Sequence, residues 1–159
     1  MKKLIFLTLI VLAVAAILSA CGGEKKPENK QPQGQTVPPM GKPVVEVPAA
    51  VKGKWKAVVL VVENKETKQT KDETIAIGEK YKIPDSDLTV QVTDFFPAFV
   101  MQGSTITSTS NETTNPAAQV VVEEGGSEVF HGWLFARFPT THAFSHPKYA
   151  ITLKEGLTK

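Results

Sequence analysis

Cysteine occurs once among the 159 residues, as Cys21, so the chain can close no internal disulfide and build no multi-thiolate metal site; packing must supply its stability. Arginine also occurs once, as Arg137. Eighteen Lys and Arg stand against sixteen Asp and Glu, and Lys2 and Lys3 precede Cys21, which leaves sixteen of each sign beyond it. A neutral chain with one arginine has no electrostatic footprint for nucleic acid, and no such partner is expected. A helical stripe is missing too, since no stretch repeats its apolar residues every 3.6 positions. There is no Gly-x-Ser-x-Gly elbow, and Gly125-Gly126 lacks the following helix that a phosphate-binding loop needs. Ser and Thr crowd residues 104–114 without a His and an acid that the sequence forces beside them. Glu123-Glu124 flanks a hairpin and Asp85 and Asp87 share a turn, where acids serve solvation and turn formation. No catalytic residue and no cofactor is expected from this inventory.

What is present begins with a division at the N-terminus. Met1-Lys2-Lys3 is followed by an uncharged run from Leu4 to Ala20, the basic and apolar regions of a signal peptide. The run ends in Leu18-Ser19-Ala20-Cys21, a lipobox in which the thiol is alkylated before the bond ahead of it is cut. Residues 1–20 are therefore expected to be a lipoprotein signal peptide, and Cys21 the lipid-modified first residue of the mature chain. Gly22-Gly23 supplies no basic flank, which argues against a transmembrane anchor. Two or three acyl chains, at about 0.8 kcal/mol per buried methylene, would hold the protein on a membrane. The expected location is the bacterial cell envelope, facing the periplasm, and Gly22 rather than Asp after the lipidated residue favours the outer membrane. Residues 21–50, rich in Pro, Gly, Gln, Lys and Glu, are expected to form a lipidated disordered linker with a reach of roughly 30 Å.

Residues 51–157 are enough for one core. Trp55 to Val62 is β-branched and apolar on both faces, the pattern of a buried central strand. A turn at Asn64-Lys65-Glu66-Thr67 leads to a strand over 73–77, and Tyr81-Lys82-Ile83 is extended before the turn Pro84-Asp85-Ser86-Asp87. From Leu88 to Phe95, Leu88, Val90 and Val92 face one way and Thr89, Gln91 and Thr93 the other, so one face is wet. Residues 107–116 are a polar loop. Residues 118–123 pair with 129–138 across Glu124-Gly125-Gly126-Ser127, because a Gly-Gly centre permits the positive φ of a tight hairpin. Tyr149, Ile151 and Leu153 mark a last strand. The expected fold is all-β, a small antiparallel β-sandwich or partly open barrel.

Phe130-His131-Gly132-Trp133-Leu134-Phe135-Ala136, then Pro139, then His146-Pro147-Lys148-Tyr149-Ala150-Ile151, resembles a bacterial envelope family known as domain of unknown function 2155. Its members look like F-x-G-W-M-F-A-x-x-P followed by H-P-x-Y-D-V. The front half is similar as well, with Val58 to Lys65, Ile77-Gly78 and the strand from Leu88, so the resemblance spans about residues 54–153. The chain departs at Ala150, where the pattern has an acid, and in lacking the cysteines that many members carry. The resemblance implies a β-rich envelope domain and names no reaction.

Two sets of residues could carry binding. The run Phe95-Phe96-Pro97-Ala98-Phe99-Val100-Met101 lacks alternation and is broken by Pro97, so one sheet face cannot bury all of it. With Trp133, the residues Phe95, Phe96, Phe99 and Met101 are the candidate surface for a protein partner, since exposed aromatic and Met side chains mark interfaces. His131, His142 and His146 fall within sixteen residues and are candidate ligands for a metal or small-ligand carrier, the alternative reading. Pro147 disfavours helical geometry at His146, which weakens the four-residue spacing. Gly132 costs strand stability unless it makes room for a large neighbour, and Trp133 beside it must project to the opposite face. The leading expectation is a non-catalytic envelope lipoprotein whose β domain binds another envelope component.

Overall fold

The computed structural model describes residues 42–159. The expected signal peptide, Cys21 and the expected linker as far as residue 41 lie outside these residues. Among the described residues there are ten strands and no helix. The order is β1 (Val44–Val45), β2 (Trp55–Asn64), β3 (Gln69–Ala76), β4 (Lys80–Lys82), β5 (Leu88–Phe96), β6 (Phe99–Gln102), β7 (Thr105–Ser108), β8 (Ala117–Glu124), β9 (Ser127–Phe135) and β10 (Tyr149–Thr158).

They form three sheets. Strands β10-β2-β3 make one, with β2 central as its apolar run requires, and β4-β5-β8-β9 make a second. Both are antiparallel throughout and pack face to face. Val58, Leu60 and Val62 of β2 and Ile151 and Leu153 of β10 meet Leu88, Val90 and Val92 of β5 and Val120 and Val122 of β8 in one core. The fold is thus an all-β sandwich, and no sheet closes into a barrel. The hairpin from β8 to β9 turns on Gly125 (φ 56°) and Gly126 (φ 86°), with Glu124 opposite Ser127. Positive φ at both central residues is the type I′ requirement that Gly-Gly meets without steric cost.

The third sheet, β1-β7-β6, goes beyond the strands the sequence pattern suggests. Val44 and Val45 pair in parallel with Thr105 and Ile106, and the Val44 and Glu46 amides donate to the carbonyls of Ser104 and Ile106 at 2.8 and 2.9 Å. Residues ahead of the expected boundary at Val51 therefore take part in a sheet, and Val51 is itself buried. Two valines on the edge of a small sheet suffice to pair residues assigned by composition to the linker.

A bulge in β5 sets up everything on the outer face. Val92 pairs with Val120 and Asp94 with Gln119, so Thr93 is the extra residue, and its hydroxyl donates to Gln119 O and lies within 3.2 Å of Gln119 Oε1 as well. One inserted residue shifts the two-residue period by one. Phe95 accordingly joins the sandwich core and Phe96 turns to the other side of the sheet, each at most 2% exposed. Asp94 is carried along in a half-buried position. Burial raises its carboxyl above the ordinary value, and the positive charge of Lys52 opposes the rise.

Candidate functional site

The outer face of the β5-β8-β9 end is built from alternate residues of β9. Gly132, Leu134 and Phe130 lie opposite Val120, Ala118 and Val122, core positions of β8, so His131, Trp133 and Phe135 point outward. Gly132 has the role its sequence context demands. A Cβ placed there would lie 2.7 Å from Cζ of Phe130, so the glycine leaves room for the Phe130 ring, which in turn packs edge-on against Phe144.

The small sheet closes part of that outer face. Phe99, at the start of β6, stands with its ring centroid 4.9 Å from Trp133 and 5.0 Å from Phe135, and Phe96 reaches Trp133 at 5.2 Å. These tilted and edge-to-face contacts are the favoured arrangement for aromatic quadrupoles, each worth about 0.5–1.5 kcal/mol beyond the area buried. Closure is incomplete. Between β6 and β9 an open groove of about 590 Å³ remains, floored by Phe99, Ile106, Trp133 and Phe135, with Met101 on one rim and residues Thr141–Ala143 on the other. Met101 is 56% exposed. Pro43, at the entry to β1, forms part of the wall. Among the described residues, the half-buried Trp133 offers its indole N–H to no acceptor. Among the described residues strand β9 has β8 as its only strand partner, so one side of its backbone is a sheet edge there.

Of the five aromatic and Met residues expected at a surface, the structure brings Phe99, Met101 and Trp133 to this groove. Phe95 and Phe96 are corrected: both are buried, because the bulge at Thr93 sends one to each face and both faces are covered at that level. Phe135, Ile106 and Pro43 were not singled out from the sequence. Phe135 follows from alternation with His131 and Trp133, whereas Ile106 and Pro43 depend on the small sheet.

The histidines are not a cluster. His131 and His142 line the groove, with His131 within 3.4 Å of the Gln119 amide and 3.8 Å of Glu128. His146 sits in a separate polar cleft of about 420 Å³ with Asp85, Asp87, Glu124 and Lys148. Its Nδ1 accepts the backbone N–H groups of Lys148 and Tyr149, each at 3.2 Å, and its Nε2 lies 3.3 Å from Glu124. With Nδ1 taken twice as acceptor, the ring proton belongs on Nε2, facing the carboxylate. Lys65 Nζ donates to the His146 carbonyl at 2.7 Å, which pins the same turn to the end of β2. His146-Pro147 is therefore a structural turn, with neither ring nitrogen left over. Among the described residues no trio of His, Cys, Asp and Glu is grouped as a metal would need, so the proposed ligand set is not assembled.

No curated protein and no solved structure matches the chain. Residues 57–155, from β2 into β10, match the profile of the family described as "Uncharacterized protein conserved in bacteria (DUF2155)". With most of the sandwich inside that match, including Gly132-Trp133 and His146-Pro147-Lys148-Tyr149, the chain belongs to this bacterial family.

Proposed function

We propose that the protein is a lipid-anchored binding module of the bacterial envelope, which holds an extended, apolar segment of another envelope protein in the groove between β6 and β9. The observation that carries this reading is the groove itself: among the described residues, an open aromatic floor, an exposed Met lining it and an indole N–H without an acceptor, all beside a sheet edge. Apolar floors bind by desolvation, and the few polar groups within them fix orientation. Extended peptides exploit both features, setting side chains into the floor while their carbonyls meet fixed donors.

The anchoring half of the proposal rests on the lipobox. Lipid on Cys21 would tie the domain to the periplasmic face of its membrane, with the outer membrane favoured by Gly22. In the test, the full chain is expressed in a bacterium, and the envelope is solubilised in mild detergent and captured on the protein. Trp133→Ala and Met101→Glu should lose the captured partner while the domain keeps its cooperative unfolding. Equal capture by wild type and both variants would refute the groove as the binding surface. Cys21→Ser should accumulate as an uncleaved precursor, because lipidation precedes cleavage; normal processing of that variant would refute the anchor.

A further inference from the structure

We infer that the partner segment is held by antiparallel strand addition: it pairs through its backbone with the free edge of β9 at His131, Trp133 and Phe135, and sets every second side chain into the groove. The inference rests on the groove being the binding surface proposed above, and it adds the chemistry of the occupant, an extended polypeptide with uncharged apolar residues at alternate positions. Three observations converge on this edge.

The first is the direction of the backbone. Next to the register pair Phe135 and Ala117, the Ala136 amide donates to the Pro116 carbonyl at 3.0 Å. Backbone groups alternate along an antiparallel ladder, so Leu134 and Gly132 face β8 as Ala136 does, whereas the N–H and C=O of His131, Trp133 and Phe135 face away from it. Among the described residues no backbone group bonds to them across that edge. The second is access. Phe130 and Gly132 lie opposite core positions of β8, yet both line the groove, and a glycine has only backbone to offer. The groove therefore reaches the backbone edge of β9 as well as its outward side chains.

The third is the contrast with the other sheet edges. Edge strands are ordinarily blunted by charge, shortness or a bulge, each of which keeps a further strand from pairing. Strand β3 carries Lys71, Asp72 and Glu73 in its middle, and β4 has three residues with a lysine at each end. Strand β10 slips register at Lys154, β1 has two residues and β6 four. In β9 the bulge lies at Val129, and from Phe130 to Phe135 the strand runs without a bulge, a proline, a lysine or a carboxylate. The edge left fit to pair is thus the one beside the groove. Its own sheet is antiparallel throughout, and antiparallel pairing gives the more stable ladder per residue. Directly opposed residues of such a ladder point their side chains to one face. The residues of the added strand that bond to His131, Trp133 and Phe135 are therefore those whose side chains enter the groove.

The test uses the full chain in detergent micelles and, as probe, a synthetic peptide of alternating Thr and Val with lysine ends. Two further peptides carry N-methyl groups on the Val amides or on the Thr amides, which removes those donors and crowds a neighbouring strand. In hydrogen exchange followed by NMR, the parent peptide should slow exchange at the His131, Trp133 and Phe135 amides by roughly tenfold or more. The Gly132 and Leu134 amides should not change, since β8 already holds them. The Thr-methylated peptide should act like the parent, and the Val-methylated one should have no effect. Any other pattern between the two methylated peptides overturns the inference, and so does silence of all three at millimolar concentration. Protection of these amides in the free protein that is lost on dilution overturns it as well, because a second copy then occupies the edge. Trp133→Ala and Met101→Glu separate the two claims. If both variants lose the parent peptide while wild type binds the two methylated forms alike, the groove stands and strand addition fails. If methylation discriminates as expected but both variants bind as wild type does, the edge pairs and the proposed function fails.

Discussion

Trp55 and Trp133 invite comparison, because each is half-buried and each has a phenylalanine ring centred 4.9 Å away, Phe95 for the first and Phe99 for the second. Their polar ends separate them. The Trp55 N–H is taken by Asn111, whose own amide donates at 2.7 Å to the Ala50 carbonyl, so a loop is tied down over that indole. Nothing among the described residues does the same for Trp133, and a groove lies open beside it. Two aromatic pairs of equal spacing thus differ in setting: one is closed over at the margin of the core, and the other, among the described residues, lines an open groove. The lesson is that the spacing of an aromatic pair does not tell its setting; what meets its polar end does.

The two residues should respond unequally to truncation, Trp55 in stability and Trp133 in partner capture. Trp55→Ala should cost the domain about 3 kcal/mol, near the lower end of aromatic truncations because the ring is not fully enclosed, and should leave partner capture intact. Urea unfolding measures it, and a loss under 1 kcal/mol would erase the distinction between the two settings. Next in size is Gly132→Val, which forces the Phe130 ring away from Phe144 and should cost about 2 kcal/mol by overpacking. Adding Phe130→Ala should recover part of that loss relative to the single variants, since the clash has one partner; strict additivity in the double-mutant cycle would assign the cost to the backbone instead. Trp133→Ala should cost less, about 1.5 kcal/mol, the scale of two lost ring contacts at an open site.

How much of this could be read beforehand depends on how regular the pattern is. The strands β2, β5 and β8, the glycine turn and the paired face of Gly132 all follow from two-residue alternation and turn chemistry, and the sandwich follows from them. The bulge at Thr93 could not be read, because a single inserted residue leaves no composition signal and yet exchanges the faces of Phe95 and Phe96. Strand β1 has two residues and β6 and β7 four each, with polar Thr and Ser among them, too short for periodicity to speak. The groove depends on these pieces, so half of its wall was hidden while Trp133, inside a regular strand, was not.

The smallest effect concerns Asp94, which the same bulge places on the outer face between Thr93 and the buried Phe95. Its carboxyl is raised above the ordinary value chiefly by desolvation, with Lys52 pulling the other way. A raised folded-state value means that the native protein holds this proton more tightly than the unfolded chain does. The associated stability is complete below the unfolded-state value and is lost as pH rises through the folded-state value. At neutral pH the domain therefore carries a partly desolvated charge at a net cost. Asp94→Asn should make the domain slightly more stable than wild type at pH 7, and the gain should vanish on acidification as wild type takes up its proton. Lys52→Ala should have the reverse effect at neutral pH, destabilising wild type but not Asp94→Asn, because the lysine's favourable contribution needs the carboxylate. Urea midpoints of the four proteins at acidic and neutral pH decide the matter. Parallel pH curves for wild type and Asp94→Asn would mean that the bulge leaves Asp94 in water and that its burial costs nothing.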